Sequence, residues 1–233
     1  MPDLIIRNIG QLITMDGADG PRRGAAMREL GLVEGGAVAS AAGRVLAAGP
    51  ESDVMASVET GPGTTVVDAD GGVVTPGLVD PHTHAVFAAT RESEFAMRVE
   101  GATYEEIAEA GGGIRSSVRS LRDASPELLR ENGRATLDRM LEYGTTTAEV
   151  KSGYGLSLES ELKMLRVTSE LEDTHVVDVV PTFLGAHEFP DEWRDDREGY
   201  VEHLINDMMP AVAAEKLARF CDVFCEEGVF TVE

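Results

Sequence analysis

The chain has 233 residues, of which 42 are acidic and 20 basic, and its formal net charge is −22. So acidic a surface repels nucleic acid and anionic membranes, and no run of about 18 apolar residues predicts a transmembrane helix. The chain has two cysteines and no basic-then-apolar leader, so the sequence predicts a cytoplasmic protein without a disulfide framework.

The basic residues include only three lysines, Lys151, Lys163 and Lys216. Such an acidic surface repels itself unless dissolved salt screens the charges over a few ångströms. The composition is therefore compatible with a salt-adapted cytoplasmic protein. An acidic but otherwise ordinary soluble protein is an equally good interpretation.

Residues 1–70 are read as a small domain of short β segments between glycine-rich turns. Glycines are frequent and no helical period is visible, which favours a small β-sandwich or an open barrel. Residues 41–43 form a plausible hairpin turn. The predicted strands are 4–9, 11–14, 36–40, 44–48 and 64–68.

From residue 71 to residue 233 strands alternate with amphipathic helices. Such alternation implies parallel strands with right-handed crossovers, as in a TIM-like (β/α) barrel. A closed barrel needs eight strands, so the sequence predicts an α/β fold with the first half of a barrel; an open doubly wound sheet is the alternative. The predicted strands are 73–80, 145–150, 176–184 and 220–225. One predicted helix begins near Thr103, and three others cover 125–143, 159–171 and 198–219.

His82 and His84 end the first of these strands, after the run Pro76-Gly-Leu-Val-Asp-Pro. Side chains on a strand alternate between its two faces, so the two imidazoles point the same way. A pair of imidazoles on one face can bind a single metal ion. The alternative is that one histidine caps the strand and the other lies on the surface.

Other polar residues follow predicted strands, where parallel β/α folds carry their functional side chains. Arg91 is positioned to bind a substrate carboxylate, or else to pair with a neighbouring glutamate. Tyr154 lies in a loop between two glycines, where it can cover a ligand or anchor the loop. His187 is a candidate ligand-binding residue or a structural histidine.

The remaining candidates are less specific. Lys151 is either a carboxylated metal-bridging lysine or the ion-pair partner of Glu149. Cys221 and Cys225 lie on one face of a strand and are predicted to pack in the core rather than to bind zinc.

Several motifs together resemble the imidazolonepropionase family of the amidohydrolase superfamily. The segment 76–84 resembles the superfamily's first metal-binding strand. Glu149-Val-Lys-Ser-Gly-Tyr-Gly155 is the most distinctive of the narrower motifs. The others are 91–95, 101–104, 111–114, 182–187 and 220–230.

This resemblance implies hydrolytic opening of a cyclic amide, 4-imidazolone-5-propanoate, to N-formimidoyl-L-glutamate in histidine degradation. It implies one zinc or iron ion with His82 and His84 as its first two ligands. Substrate contacts are implied for Arg91, Tyr104, Tyr154 and His187. It also implies a small-molecule substrate, a homodimer, and an N-terminal β domain completed by residues beyond 233.

The family's remaining metal ligands and its acid/base residues are expected beyond residue 233, so no catalytic residue is assigned within this chain. Two imidazoles leave a metal site incomplete. We therefore expect the 233 residues alone to be an inactive fragment or to depend on a partner. The alternatives are another amidohydrolase, acting on a cyclic amide or a nucleobase, and a non-catalytic binding or assembly subunit with the same fold.

Overall fold

The structure is a computed structural model that describes residues 1–17, 20–103, 106 and 112–232. The chain folds as two compact units, Met1–Pro76 and Gly77–Glu233. Among the described residues, no helix is both long enough and apolar enough to cross a membrane.

The first unit is built on one mixed sheet with the strand order β3-β2-β1-β4, and β5 also pairs with β1. Strands β1–β2 and β2–β3 are antiparallel, whereas β4 and β5 run parallel to β1. The strands are β1 (Leu4–Ile13), β2 (Leu32–Ala41), β3 (Arg44–Pro50), β4 (Thr65–Asp68) and β5 (Val73–Val74), with helix α1 (Glu51–Ser57) and a 3-10 turn at Gly24–Arg28.

The predicted hairpin between β2 and β3 is confirmed. Ala42 and Gly43 both have positive φ, 51° and 73°, as a two-residue turn that matches the strand twist requires. The predicted β-sandwich is not confirmed, because the strands of this unit among the described residues form a single sheet. Its core is small and includes Val54 of α1, whose helix was not predicted.

The second unit contains four parallel strands that neighbour one another in chain order, β6-β7-β8-β9, half the number that closes a barrel. The strands are β6 (Leu78–Thr83), β7 (Thr145–Lys151), β8 (Asp178–Ala186) and β9 (Phe220–Val223). The helices are α2 (Glu92–Val99), α3 (Ile114–Asp123), α4 (Pro126–Glu142), α5 (Leu158–Thr174), α6 (Arg197–His203) and α7 (Met209–Glu215), with a 3-10 turn at Asp191–Trp193 and a π-turn at Leu204–Met208.

A side-chain cap marks the start of α4. Ser125 Oγ accepts a hydrogen bond from the Leu128 N–H at 3.3 Å, directly before the proline that opens α4. The predicted capping box is also confirmed: Thr103 N–H donates to the Glu106 carboxylate, and Glu106 N–H donates to Thr103 Oγ1. Leu129 of α4 and Met164 of α5 lie in one buried cluster with the strands.

Two predicted elements are interrupted in the structure. The predicted strand 73–80 is interrupted at Pro76 and Gly77, so that β5 and β6 belong to different sheets. Proline has no N–H for a ladder, and a Cβ at Gly77 would lie 2.0 Å from Thr146 Oγ1. The predicted helix 198–219 widens into the π-turn just before Pro210. It ends with α7 at Glu215, and the next residue, Lys216, has a left-handed φ of 56°.

Candidate metal and substrate site

His82 lies on β6 and His84 directly after it. Their ring centroids are 5.8 Å apart and the rings meet edge to face. His82 is exposed, whereas the buried Nδ1 atom of His84 has no hydrogen-bond partner among the described residues. Burial, then the neighbouring His187 and His82, lowers the pKa of His84 to about 4, so that its ring is neutral at neutral pH.

Tyr154 and His187 both contact the ring of His84. His187 stacks on it with a centroid distance of 4.9 Å and an interplanar angle of 9°. The Tyr154 ring lies 4.7 Å from His84 and 5.3 Å from His187. Burial raises the pKa of the Tyr154 hydroxyl, which keeps it a hydrogen-bond donor at neutral pH. The ends of β6, β7 and β8 thus bring three of the predicted side chains together.

The tautomer of His187 follows from its contact with the loop after β7. Its Nδ1 atom lies 2.8 Å from the Gly153 carbonyl oxygen. A carbonyl oxygen only accepts, so Nδ1 carries the proton and Nε2 is left for a ligand. Burial lowers the pKa of His187, and the Phe224 ring covers one edge at 5.7 Å.

Arg91 lines the same open cleft as His84 and Tyr154. The cleft has a volume of about 240 Å³, and the residues around it are His84, Phe87, Ala89, Thr90, Arg91, Ser117 and Tyr154. The guanidinium Nη1 of Arg91 also lies 3.7 Å from Glu94 Oε2. The predicted ion pair with a neighbouring glutamate is thus present, and a half-exposed ion pair leaves other N–H donors of the guanidinium free.

Tyr104, the fourth residue for which a substrate contact was predicted, lies outside the described residues.

Lys151, at the end of β7, pairs with two carboxylates. Its Nζ atom lies 2.5 Å from Glu149 Oε1 and 3.0 Å from Asp222 Oδ2, and its side chain is only 5% exposed. Burial alone would raise the pKa of Glu149, but hydrogen bonds from Lys151 and Thr182 lower it. The structure thus contains the ion pair with Glu149 and adds Asp222, which the sequence analysis missed.

The two cysteines are not in the core. Cys221 lies in β9, a strand at the edge of its sheet, and is exposed. Cys225 lies beyond the end of β9 at Val223 and is also exposed. The prediction that they pack in the core is wrong. Among the described residues, no group of three or more His, Cys, Asp or Glu side chains is close enough to bind a metal ion.

Glu161 is the other residue that the sequence analysis missed. Its carboxylate is fully buried in the first turns of α5 and accepts hydrogen bonds from backbone N–H groups of the loop that carries Tyr154. An acidic residue shortly after a helix start is common on surfaces, so only the neighbouring Gly-Tyr-Gly could have signalled a buried role.

Comparison with known proteins gave no matching family model. Curated relatives were found along the whole chain. An imidazolonepropionase from Symbiobacterium thermophilum is 56% identical over 231 residues, which are 99% of this chain and 54% of that protein. One from Alkaliphilus metalliredigens is 48% identical over 233 residues, which are 100% of this chain and 55% of that protein.

The chain is homologous to part of imidazolonepropionase. It spans about half the length of the curated relatives that it matches.

Solved structures agree with the fold. Guanine deaminase from E. coli superimposes with a TM-score of 0.55 at 18% identity, covering 93% of this chain and 43% of that one. Atrazine chlorohydrolase from Arthrobacter aurescens, solved in complex with zinc, gives a TM-score of 0.57 at 16% identity, covering 94% of this chain and 46% of that one. At these identities the likeness concerns the fold alone.

Proposed function

We propose that this chain supplies metal-binding and substrate-binding residues of a hydrolase that opens imidazolone propanoate to N-formimidoyl-L-glutamate. The homology to imidazolonepropionases supports the reaction class, hydrolysis of a carbon–nitrogen bond in a cyclic amide. The observation that carries the proposal is the cleft in which Arg91 lies with His84 and Tyr154, beside His187.

His82 and His84 would bind one zinc or iron ion. The fit rests on the chemistry of two neighbouring imidazoles and on the buried Nδ1 atom of His84, which has no partner among the described residues. A bound divalent ion lowers the pKa of a coordinated water to about 7 and so provides hydroxide at neutral pH. Catalytic zinc sites have three protein ligands, so a complete site needs at least one ligand besides these imidazoles.

Arg91 would bind the propanoate group of the substrate. A guanidinium presents two parallel N–H donors to a carboxylate, which gives orientation as well as affinity. With the carboxylate at Arg91, the imidazolone ring would lie in the cleft near Tyr154 and His84, which line it. This requirement for a carboxylate argues against a nucleobase as substrate.

Ring opening needs few groups from this chain. The oxygen of water bonds to the ring carbonyl carbon, the bond from that carbon to a ring nitrogen breaks, and the nitrogen takes up a proton. Tyr154 keeps its hydroxyl proton and can donate a hydrogen bond to the ring. His187, with Nδ1 occupied by Gly153, offers Nε2 to the substrate. Both side chains would orient the ring and exclude water.

The proposal is tested with a chimera in which this chain is followed by the remaining part of the Symbiobacterium thermophilum relative. We expect the chimera to consume imidazolone propanoate, which is monitored as a loss of imidazolone absorbance. We expect it to leave guanine unchanged. The 233-residue chain alone is expected to be inactive, because two imidazoles do not complete the metal site. Guanine turnover, or no turnover by a folded chimera, would contradict the proposal.

Homodimerisation stays a prediction. Light scattering on the same sample measures it.

A further inference from the structure

Glu161 lies at the centre of an arrangement that no predicted site residue explains. Its carboxylate is fully buried, and three backbone N–H groups of residues 153–156, the Tyr154 loop, donate to it. Oε1 accepts from Gly155 N and Leu156 N, each at 2.8 Å, and Oε2 accepts from Gly153 N at 3.0 Å. Three donors that converge on one buried side chain favour one loop conformation.

The backbone of the Tyr154 loop needs such support. Gly153 has a φ of +105° and Leu156 a φ of +50°, a left-handed conformation that a leucine adopts only at a cost. A Cβ at Gly153 would lie 2.7 Å from the Leu184 carbonyl oxygen and 2.9 Å from His187 Nδ1. The loop therefore lies directly against the end of β8 at Gly153, and its strained residue is Leu156.

Arg122 of α3 binds the carbonyl groups of the same loop. Its Nε donates to Gly155 O at 2.8 Å and its Nη2 to Leu156 O at 3.0 Å. The same guanidinium pairs with Glu192 at 2.7 Å. The amides of the loop thus bind a carboxylate while its carbonyls bind a guanidinium, and neither of these two side chains lines the cleft.

We propose that Glu161 is a positioning residue that acts on two side chains of the site through this loop. It fixes the Tyr154 ring against His84, and it fixes the Gly153 carbonyl that accepts the proton of His187 Nδ1. The tautomer of His187 is therefore determined by a carboxylate that does not itself contact the cleft. This inference rests on the proposed function for its consequence in catalysis, but not for the structural coupling.

The coupling is measured by NMR on the 233-residue chain labelled with ¹⁵N. In the wild-type protein we expect His187 to be protonated at Nδ1 and the amides of Gly155 and Leu156 to exchange slowly. In Glu161→Gln, which turns one acceptor oxygen into a donor, we expect both amides to exchange at least about tenfold faster and His187 to populate both tautomers. The matched control is Glu159→Gln, an exposed residue of the same helix turn, which should change neither signal.

If Glu161→Gln does not fold, the wild-type protein still decides the question through hydrogen-bond couplings between the Gly155 and Leu156 nitrogens and the Glu161 carboxylate carbon. Couplings at both amides support the proposal, and their absence overturns it. A folded Glu161→Gln variant in which His187 remains protonated only at Nδ1 also overturns it. In the chimera, Glu161→Gln should lower kcat more than it raises KM. If the substitution changes the His187 tautomer but the chimera shows no turnover at all, the proposed function is refuted and the structural coupling stands.

Discussion

His84 and His187 stack face to face, with ring centroids 4.9 Å apart and ring planes inclined by 9°. One ring follows β6 and the other follows β8, so residues about a hundred positions apart meet at the same ends of parallel strands. The stack links the candidate metal ligands to the candidate substrate residues.

Replacing Arg91 by alanine should weaken substrate binding. A hydrogen-bonded charge pair contributes about 1.5–3 kcal/mol, so we expect kcat/KM for imidazolone propanoate in the chimera to fall about 10- to 100-fold, mainly through KM. Steady-state kinetics measure the effect. Arg98→Ala is the matched control, because Arg98 is an exposed arginine of the neighbouring helix α2 that does not line the cleft. Equal losses in both variants would show that Arg91 does not bind the propanoate.

Replacing Lys151 by methionine should destabilise the protein. The substitution leaves Glu149 and Asp222 facing each other without their cation, and breaking a buried ion pair costs about 3–5 kcal/mol. Asp222 is nearly half exposed, so we expect about 2–3 kcal/mol, measured by urea unfolding at neutral pH. The double variant Lys151→Met/Glu149→Gln should recover part of the loss. Full stability in the single variant would contradict the account.

The same ion pairs predict a pH dependence. Hydrogen bonds from Lys151 lower the folded-state pKa of Glu149 and of Asp222, despite a burial effect that raises both. Stability from a lowered carboxylate pKa is present above the ordinary values of 4.5 and 3.8 and is lost as the pH falls through the folded-state values. The difference in unfolding free energy between wild type and Lys151→Met should therefore shrink below about pH 4.5. A pH-independent difference would exclude these carboxylates as its source.

Salt should stabilise the chain. At a net charge of −22, self-repulsion is relieved when ions screen it, and each kcal/mol gained raises Tm by about 2–4 °C for a chain of this size. We expect Tm to rise between low salt and molar KCl at neutral pH. The rise should vanish near pH 4.5, where the net charge approaches zero. A Tm that falls in KCl at neutral pH would remove the salt-adaptation hypothesis.

Much of the fold follows from local sequence. Ser125 before Pro126 caps α4 by binding a nearby amide, and the hydrogen bonds between Thr103 and Glu106 are those of a capping box; both were predicted. The break at Pro76 and Gly77 was not, because an apolar run looks continuous until the contact with Thr146 is known. The π-turn at Leu204–Met208 was not predicted either, because a proline inside a helical pattern does not specify how the helix adapts before it.

Some residues of the site were likewise predicted from the sequence, and others were missed. His82, His84, Arg91, Tyr154 and His187 were singled out because each follows a predicted strand, and four of them meet in the structure as a stacked and cleft-lining group. Asp222 was missed because it is 71 residues from Lys151. Glu161 was missed because its partners are backbone amides, and only the neighbouring Gly-Tyr-Gly hinted at them.

The proposed function is that His82 and His84 would hold a metal ion, which would activate water for hydrolysis of a ring held by Arg91. It is tested most directly by measuring the metal content and the imidazolone turnover of the chimera before and after chelation. We expect about one zinc or iron ion per chain, loss of turnover on its removal, recovery on its return, and neither metal nor turnover in His82→Ala/His84→Ala. Undiminished turnover by a fully metal-free chimera, or by the double alanine variant, would contradict the account.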